Sequence, residues 1–273
     1  MAAAAQTQTH AENGEAVELV RGHWDHIKTT TPSEDFIKVY TDMVEQMSDP
    51  QKKVYNGHTC LLLGSSGSGK TSLIRSLIDG YYAPHKYIVI YFTSTRDSDA
   101  LVDIEKQHPN VIICDGLQED IIAWVKHQQD TFSKERLAQG FLIVLDDIVA
   151  VKNKKILEQA FLVYRNSNIS SIVCIQYLKL IPPSIRTSIY SVVCLKSNNY
   201  NYNELICDTY LSSVIPGKNN KERAKAYAQH ANGKGKGFFV NNIQGGFYLL
   251  EAEEGKKQGG FGFSYRLFPL EPV

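Results

Sequence analysis

The sequence predicts an α/β fold of three layers, in which a mostly parallel central sheet lies between two layers of helices. Strand-like and helix-like segments alternate between about residues 58 and 196. Strands joined by helices in this way form parallel sheets with right-handed crossover connections. The strand-like segments are also apolar throughout, for example at residues 87–92, and this pattern is typical of strands whose two faces are both covered.

The elements of this core follow one another in a regular order. Predicted strands lie at residues 59–63, 87–92, 111–114, 141–145, 171–175 and 191–195. Predicted helices lie at residues 72–78, 97–107, 118–128 and 154–164. We expect the first of these helices to stop at Gly80, because glycine commonly follows the end of a helix.

A partly helical extension precedes the core. Residues 1–14 are small and polar and predict disorder, and residues 15–28 form at most a short helix with a weak apolar pattern. A clearer helix opens at residues 32–34 and ends near residues 49–50. Its apolar face, at helical spacing, consists of Phe36, Ile37, Tyr40, Met43, Val44 and Met47. We expect this helix to pack on the core or on a neighbouring molecule.

A tail with a different sequence pattern follows the core. Helices are predicted at residues 201–211 and 219–230, and short strands between glycine-rich turns at residues 238–241, 246–251 and 261–267. This tail either extends the edge of the sheet or forms a small separate lobe. The sequence thus predicts an N-terminal extension (1–50), a core (51–200) and a C-terminal tail of helices and short strands (201–273).

The bulk composition excludes several classes of protein. Of the 273 residues, 43% are hydrophobic, so a sizeable core is possible and global disorder is excluded. Lys plus Arg and Asp plus Glu both number 29, and this balance argues against a polyanion binder that works through a charged tail. Five cysteines without a C-x-x-C pair indicate reduced core cysteines. No apolar run approaches the ~18 residues of a membrane span.

One glycine-rich segment carries a specific chemical signature. Residues 64–71 fit the Walker A phosphate-loop pattern G-x-x-x-x-G-K-[ST], between a strand and a helix as that pattern requires. Glycines let the backbone wrap a phosphate chain, and the loop N–H groups and the helix N-terminus face the anion. We expect Lys70 to neutralise the β- and γ-phosphates and Thr71 to bind Mg²⁺. The predicted nucleotide-binding residues are Gly64, Ser65, Ser66, Gly67, Ser68, Gly69, Lys70, Thr71 and Ser72.

A second signature closes a later strand. Residues 141–147 form a hydrophobic strand that ends in two carboxylates, which is a Walker B pattern. Asp146 is expected to hold Mg²⁺, and Asp147 to orient and deprotonate the attacking water, with a helix N-cap as its alternative role. The next strand ends in Gln176, which either senses the γ-phosphate and positions water or is an ordinary strand-end amide.

Two arginines are candidates for a cation that stabilises the transition state. Arg165 closes the helix after the Walker B pattern, and Arg186 follows a rigid Ile-Pro-Pro-Ser-Ile turn. In a ring of subunits such an arginine can reach a neighbour's γ-phosphate as an arginine finger. A plain surface position is the alternative for each. The predicted catalytic set is Asp147, Gln176, Lys70, Arg165 and Arg186, with Thr71 and Asp146 as metal ligands and with ATP and Mg²⁺ bound.

These motifs, in this order, resemble those of one family of motors. The chain resembles the viral genome-packaging ATPases of the poxvirus type, within the FtsK–HerA superfamily of P-loop ATPases, at residues 64–71, 87–92, 145–147, 164–170, 176 and 181–186. The resemblance covers about residues 58–196. It departs from the family pattern at Asn166, where the family often has His, and at the Asp-Asp end of Walker B, where cellular members have Asp-Glu.

The resemblance implies a P-loop sandwich fold and an ATP-driven motor that moves double-stranded DNA into a preformed capsid. It also implies a homo-oligomeric ring, capsid or portal-vertex proteins as partners, and a location in the virus factory of the host cytoplasm and in the virion. The lack of a long apolar run predicts no membrane span. By this resemblance, Lys70 and Thr71 would bind phosphate and Mg²⁺, and Asp146 would bind Mg²⁺. Asp147 would be the catalytic carboxylate, Gln176 the sensor, and Arg165 the basic residue after Walker B.

Contacts with DNA would need basic side chains on loops that line a pore, because phosphate contacts supply most of the affinity that is independent of sequence. The basic runs are Lys152, Lys154 and Lys155; Lys218, Lys221, Arg223 and Lys225; and Lys234 and Lys236. A solvated face is the commoner use of each such run. Tyr200, Tyr202 and Tyr210 are expected either to stack on bases or to pack in the core.

Other functions use some of the same motifs. A helicase-like or plasmid-transfer ATPase of the same superfamily would need an added domain. A nucleotide kinase needs neither the second carboxylate nor the distal glutamine. A switch GTPase is disfavoured, because residues 153–156 fail the base-reading signature Asn-Lys-x-Asp at its last position, and this favours ATP over GTP.

Overall fold

The computed structural model describes residues 34–46, 57–85, 87–95, 99–135, 140–147, 154–257 and 260–272. The disorder predicted at residues 1–14 and the short helix predicted at 15–28 lie outside these ranges. The strands are β1 (Glu34–Asp35), β2 (Thr59–Leu63), β3 (Ile88–Thr93), β4 (Val111–Asp115), β5 (Phe141–Asp146), β6 (Ile169–Ile175), β7 (Ser191–Leu195), β8 (Gly237–Asn241), β9 (Gly246–Lys257) and β10 (Gly260–Leu270). The helices are α1 (Phe36–Gln46), α2 (Lys70–Leu77), α3 (Asp99–Gln107), α4 (Glu119–Glu135), α5 (Lys154–Glu158), α6 (Pro183–Arg186), α7 (Tyr200–Ile206) and α8 (Asn220–His230).

These strands form a single sheet in the order β1-β10-β9-β8-β7-β2-β6-β5-β3-β4. The strands from β7 to β4 in this order run parallel to their neighbours. Beyond β7, the strands β8, β9, β10 and β1 continue the sheet with antiparallel pairing. The predicted mostly parallel central sheet is confirmed.

Helices cover both faces of the sheet, which confirms the three-layer arrangement. In β2, Leu61 and Leu63 enter the apolar cluster that includes residues of α4 to α8, whereas Cys60 and Leu62 enter the cluster that includes residues of α1, α2 and α3. Every side chain of β2 is therefore buried. An apolar run suits such a strand, because a buried polar side chain without a hydrogen-bond partner costs free energy.

Parallel pairing gives the sheet two chemically different edges. The carboxyl ends of β2, β5, β6 and β7 meet at one edge, which we call the carboxyl edge, and their amino ends meet at the opposite amino edge. Ligands of open parallel sheets bind outside the carboxyl ends of the strands. The predicted phosphate loop follows β2 and the Asp-Asp pair ends β5, so the fold brings both motifs to the carboxyl edge.

Helix α1 packs its apolar face on the sheet of its own chain. The Phe36 ring lies edge-on to Phe239 of β8 with a centroid distance of 5.1 Å, and the Tyr40 and Tyr82 hydroxyls are hydrogen-bonded at 2.6 Å. Phe36, Tyr40 and Met43 are fully buried. Burial of each such apolar side chain contributes roughly 1.5–3 kcal/mol to stability. The extension is thus tied to the core at Phe36, Tyr40 and Met43.

Two members of that predicted apolar face, Val44 and Met47, lie outside the side chains that the structure describes. The predicted helix end at Gly80 is wrong. Helix α2 ends at Leu77, but a π-helical turn continues the coil over Ile78–Tyr82. A Cβ on Gly80 would lie 2.9 Å from Ile37 Cγ2, so the glycine allows α1 to approach closely instead of ending the helix.

The helix predicted at residues 154–164 is only partly regular. Helix α5 is followed by a π-helical turn (Gln159–Val163) and a 3₁₀ turn (Tyr164–Ser167). Asn168 then adopts a positive φ of 55°, which reverses the chain into β6. Asn tolerates this left-handed backbone better than most residues. From Lys154 onward the chain therefore passes from an α-helical to a π-helical and then a 3₁₀ turn before it reaches the amino edge.

The tail extends the sheet, which decides between the two alternatives that the sequence leaves open. Strand β8 pairs with β7, for example at Phe238 and Cys194, and β9 and β10 form a hairpin beyond it. These last two strands, of 12 and 11 residues, are longer than predicted. The five cysteines are all buried and free, as expected. Among the described residues, no helix has the length and apolarity that a membrane crossing needs.

Candidate nucleotide-binding site

The phosphate loop forms a tight turn between β2 and α2. Gly67 and Gly69 have φ values of 73° and 103°, a left-handed backbone that glycine adopts without steric cost. Gly64 has a different role, because a Cβ there would lie 2.4 Å from Ser68 Oγ. The buried Ser68 hydroxyl has no hydrogen-bond partner in the described part of the chain. A glycine-lined turn with an unpaired hydroxyl fits an anion-binding cradle.

Lys70 begins α2 and points back into this turn. Its side chain is only 5% exposed, and Nζ donates to the carbonyl oxygens of Gly64 at 2.9 Å and of Ser65 at 3.2 Å. A buried ammonium group needs acceptors, and these two carbonyls supply them. Phosphate oxygens are stronger acceptors than neutral carbonyls, because the hydrogen bond is then assisted by charge on both partners. The lysine is therefore positioned for the predicted phosphate contact.

The turn is anchored to the ends of the neighbouring strands. The Gly64 N–H donates to the Ile175 carbonyl at the end of β6, and the Ser65 N–H donates to the Lys196 carbonyl just after β7. The Ser65 hydroxyl also accepts the Asn198 N–H at 3.1 Å. The phosphate loop is thus held in one position by both strands that flank β2.

The two predicted magnesium ligands meet at the carboxyl edge. Thr71 Oγ1 donates to Asp146 Oδ2 at 3.3 Å, so the Walker A and Walker B motifs are in direct contact. Asp146 is 5% exposed, and burial raises the pKa of its carboxyl group, whereas the hydrogen bond from Tyr91 lowers it. Hydroxyl and carboxylate oxygens are suitable Mg²⁺ ligands, and a bound cation would favour the ionised carboxylate. The donor set therefore fits a magnesium site.

Tyr91 of β3 belongs to this site, and the sequence analysis missed it. Its hydroxyl donates to Asp146 Oδ2 at 2.6 Å and so orients the carboxylate. Sheet register pairs Tyr91 with Val144, two residues before Asp146, which places both side chains on one face. A signal was present, because a buried tyrosine beside the Walker B strand needs a partner for its hydroxyl.

Asp147 and Gln176 lie together just beyond Asp146. Gln176 Nε2 donates to Asp147 Oδ1 at 3.4 Å. Asp147 is exposed and has a φ of 54°, a left-handed backbone that Asp, like Asn, adopts more readily than most residues. The two residues line a cavity of about 200 Å³, which is large enough for several water molecules. The residues that would test an N-cap role for Asp147, 148–153, lie outside the described ranges.

The predicted finger Arg165 lies far from this cluster, at the amino edge. It belongs to the 3₁₀ turn before β6, and its guanidinium lies 5.3 Å from the centroid of the Tyr190 ring. Together with Asn242 and Ile243 after β8, it lines a cavity of about 380 Å³. The structure therefore separates Arg165 from Lys70, Asp146 and the other groups at the carboxyl edge.

Arg186 has a structural use within its own loop. Its Nε donates to the Ile181 carbonyl at 3.0 Å, and its Nη2 donates to the Leu178 carbonyl at 3.3 Å. These bonds hold the connection between β6 and α6. Arg75, on α2, forms ion pairs with Asp79 at 3.7 Å and Asp103 at 4.0 Å.

The predicted DNA-contacting lysines whose side chains the structure describes are exposed, most of them on the tail. Lys221 and Lys225 are exposed one turn apart on α8, and Lys234 and Lys236 are exposed beyond it. Tyr210 packs in the core. Three other groups have partners within the chain: the Tyr200 hydroxyl donates to the Lys221 carbonyl, the Tyr202 ring packs on Tyr177, and Arg223 donates to Asn220. Lys152 and the side chain of Lys154 lie outside the described part.

Comparisons with known proteins agree with this geometry. A family model for the poxvirus A32 protein matches residues 50–221. No curated protein sequence matches the chain. The genome packaging NTPase B204 from Sulfolobus turreted icosahedral virus 2, in complex with AMPPCP, is similar with a TM-score of 0.50 and 12% identity, over 71% of this chain and 96% of that chain. The DNA-packaging ATPase B204 from Sulfolobus turreted icosahedral virus is similar with a TM-score of 0.50 and 11% identity, over 71% and 97%.

The two kinds of comparison support different conclusions. At 11% and 12% identity, the structural likeness concerns the fold alone, and the chain has the sandwich fold of those P-loop ATPases. The family match covers more than half of the chain and includes the phosphate loop, the Asp-Asp pair, Arg165 and Gln176. The chain belongs to the poxvirus A32 protein family.

Proposed function

We propose that this chain is an ATP-hydrolysing motor that packages a double-stranded DNA viral genome into a preformed capsid. The observation that carries the proposal is the contact between the two nucleotide motifs, in which Thr71 Oγ1 lies 3.3 Å from Asp146 Oδ2 beside the buried Lys70. Membership of the poxvirus A32 family supports it. The names of the structural neighbours, which describe packaging of genomes and DNA, support it as well.

The phosphate loop would bind the triphosphate of ATP through backbone N–H groups and Lys70. For this, Lys70 exchanges the Gly64 and Ser65 carbonyls for phosphate oxygens, which are better acceptors for an ammonium group. Thr71 and Asp146 would hold Mg²⁺, which neutralises charge on the phosphates when it is bound. Tyr91 keeps the Asp146 carboxylate in the orientation that this site needs.

Asp147 would act on the attacking water. Its exposed carboxylate borders the cavity next to Asp146, where a water molecule can approach the end of the triphosphate. The carboxylate accepts a proton from that water, and Gln176, 3.4 Å from Asp147 Oδ1, orients the water or reports the γ-phosphate. A kinase would need to exclude this water, so the exposed position of Asp147 favours hydrolysis over transfer to another acceptor.

The proposal extends to assembly. A homo-oligomeric ring would place Arg165 of one subunit at the nucleotide of the next, which gives a function to a cation that lies away from its own phosphate loop. Capsid or portal-vertex proteins would hold the ring, and it would act in the virus factory of the host cytoplasm and on the virion. Duplex DNA would pass basic side chains such as Lys221 and Lys225, which contact phosphates without reading sequence.

The test is steady-state ATP hydrolysis by the purified chain, with and without double-stranded DNA. We expect slow basal turnover, stimulation by duplex of any sequence, and loss of that stimulation at high salt because phosphate contacts weaken. Lys70→Ala and Asp147→Asn should each reduce turnover at least about a hundredfold. Lys38→Ala, at an exposed position on α1, is the matched control and should retain wild-type turnover.

Two outcomes would change the proposal. Turnover that both variants abolish but that DNA does not alter, with or without capsid proteins, would keep the ATPase and remove the motor. Transfer of the γ-phosphate to a small acceptor in place of water would make the chain a kinase and end the packaging proposal.

A further inference from the structure

The C-terminal tail places a second glycine–lysine turn against the phosphate loop. Residues 233–237 read Gly-Lys-Gly-Lys-Gly and lie between α8 and the start of β8, and we call residues 233–236 the tail turn. The Gly235 N–H donates to the Ser68 carbonyl at 2.8 Å. The Gly235 carbonyl accepts the Ala252 N–H of β9 at 3.0 Å. One residue of the tail therefore bridges the phosphate loop and the antiparallel part of the sheet.

Close packing fixes the position of this turn. A Cβ on Gly69 would lie 3.0 Å from Gly235 N and 3.4 Å from Lys234 Cγ. Gly235 itself has a φ of 71°, and a Cβ there would lie 2.4 Å from Ala252 Cβ. Glycine is thus required on both sides of the contact. The turn cannot move away from the phosphate loop without breaking its bonds to Ser68 and Ala252.

The contact brings a second cation to the nucleotide motif. The Lys234 stem lies beside Gly69, the residue immediately before Lys70, and its side chain is exposed. The ammonium group lies beyond Cγ on a flexible stem, so it can reach over the loop towards a bound anion. A loop of this kind binds phosphates against its backbone, so a cation whose stem lies beside Gly69 can approach them.

We propose that the tail turn is part of the nucleotide-binding site, with Gly235 bracing the phosphate loop and Lys234 Nζ donating to phosphate oxygens of a nucleoside triphosphate bound by the same subunit. The inference rests on the proposed function as an ATPase. The turn lies beyond residue 221, where the family match ends. A contact of this kind depends on the charge of the phosphates and not on the identity of the base.

The test is nucleotide affinity of the full chain without DNA, by calorimetry with ATP, ADP and adenosine. Lys234→Ala should weaken ATP binding roughly tenfold, as loss of one charge-assisted hydrogen bond predicts. Lys234→Arg should recover most of the affinity. Lys236→Ala is the matched control, because Lys236 is exposed in the same turn but its side chain lies over Gly233 instead of the phosphate loop. The melting temperature of each variant without nucleotide is measured as well, and each variant should remain folded at the temperature of the binding experiment.

The outcomes separate this inference from the function on which it rests. Wild-type ATP affinity in Lys234→Ala, with loss of affinity in Lys70→Ala, would overturn the role of Lys234 and leave nucleotide binding intact. Equal losses in Lys234→Ala and Lys236→Ala would overturn it too, because they would reflect net charge and not a contact. An equal loss of affinity for adenosine would also contradict a phosphate contact. A wild-type chain that binds no nucleotide would overturn the proposed function and this inference together.

Discussion

The carboxyl edge and the amino edge of the same sheet hold different parts of the predicted catalytic set. Lys70, Asp146 and Gln176 gather at the carboxyl edge, whereas Arg165 lies at the amino edge against Tyr190. Strand β2 between them has 5 residues. At about 3.3 Å per residue, the two edges are roughly 16 Å apart. Groups at the carboxyl edge can therefore serve the nucleotide of their own chain, whereas Arg165 lies too far from that nucleotide to contact it and is proposed to serve the nucleotide of a neighbour.

The prediction with the largest expected effect concerns mixtures of variant subunits, which test whether the two edges serve different nucleotides. When every subunit carries the change, Arg165→Ala should reduce ATP turnover at least about a thousandfold, the magnitude typical of an arginine finger, and Lys70→Ala at least about a hundredfold. A mixture of the two variants should regain part of the activity, because a Lys70→Ala subunit still offers Arg165 to a neighbour whose phosphate loop is intact. The measurement is turnover as a function of mixing ratio at constant total protein.

Mixing Lys70→Ala with Asp147→Asn provides the control for that experiment. Both changes lie at the carboxyl edge of one chain, so every site in this mixture is defective and activity should stay low. If the Lys70→Ala and Arg165→Ala mixture also stays inactive while rings still assemble, Arg165 does not act between subunits. Arg186, whose donors hold the Leu178 and Ile181 carbonyls, would then be the next candidate.

A smaller effect is expected from Tyr91→Phe at the carboxyl edge. The change removes the hydrogen bond to Asp146 Oδ2 and leaves the ring in the core. Groups that orient a metal ligand typically alter metal affinity at least about tenfold, so the Mg²⁺ concentration for half-maximal turnover should rise by roughly that factor. Tyr82→Phe, which removes a buried hydroxyl bonded to Tyr40 away from the site, is the control. Equal Mg²⁺ dependence in the two variants would contradict the role of Tyr91.

The smallest expected effect concerns stability at the amino edge. Burial lowers the pKa of the His58 imidazole from 6.5 to about 3. The folded chain thus keeps His58 neutral where the unfolded chain protonates it. Stability that is present above pH 6.5 is lost as the pH falls towards 3, by at most about 1.4 kcal/mol for each pH unit.

Urea unfolding at pH 7.5 and pH 5.5 measures this loss. His58→Gln, which keeps a polar partner for Ser191 Oγ, should show a smaller decrease than the wild type. His85→Gln, at an exposed position, is the control and should keep the acid-sensitive profile. An identical decrease in wild type and His58→Gln would assign the acid sensitivity to another group.

Much of the fold was readable from the sequence because parallel strands buried on both faces are apolar runs. Each strand of the parallel part lies within a few residues of its predicted position, and the contact between Thr71 and Asp146 is the arrangement that the two motifs predict. The helix end at Gly80 was misread, because the glycine serves a contact with Ile37 that is distant in sequence. Tyr91 was missed because its partner comes from a neighbouring strand.

The sequence by itself determined the nucleotide motifs, since their chemistry depends on residues that are close along the chain. The glycines of residues 64–71 set the backbone of the loop, and an apolar strand places Asp146 at its end. Only the tertiary structure decided that the tail extends the sheet, that Gly235 meets Ser68, and that Arg165 lies at the opposite edge. These features depend on pairing between segments that are far apart in sequence. A local sequence pattern predicts that a segment is a strand, but it does not predict which other strand that segment will pair with.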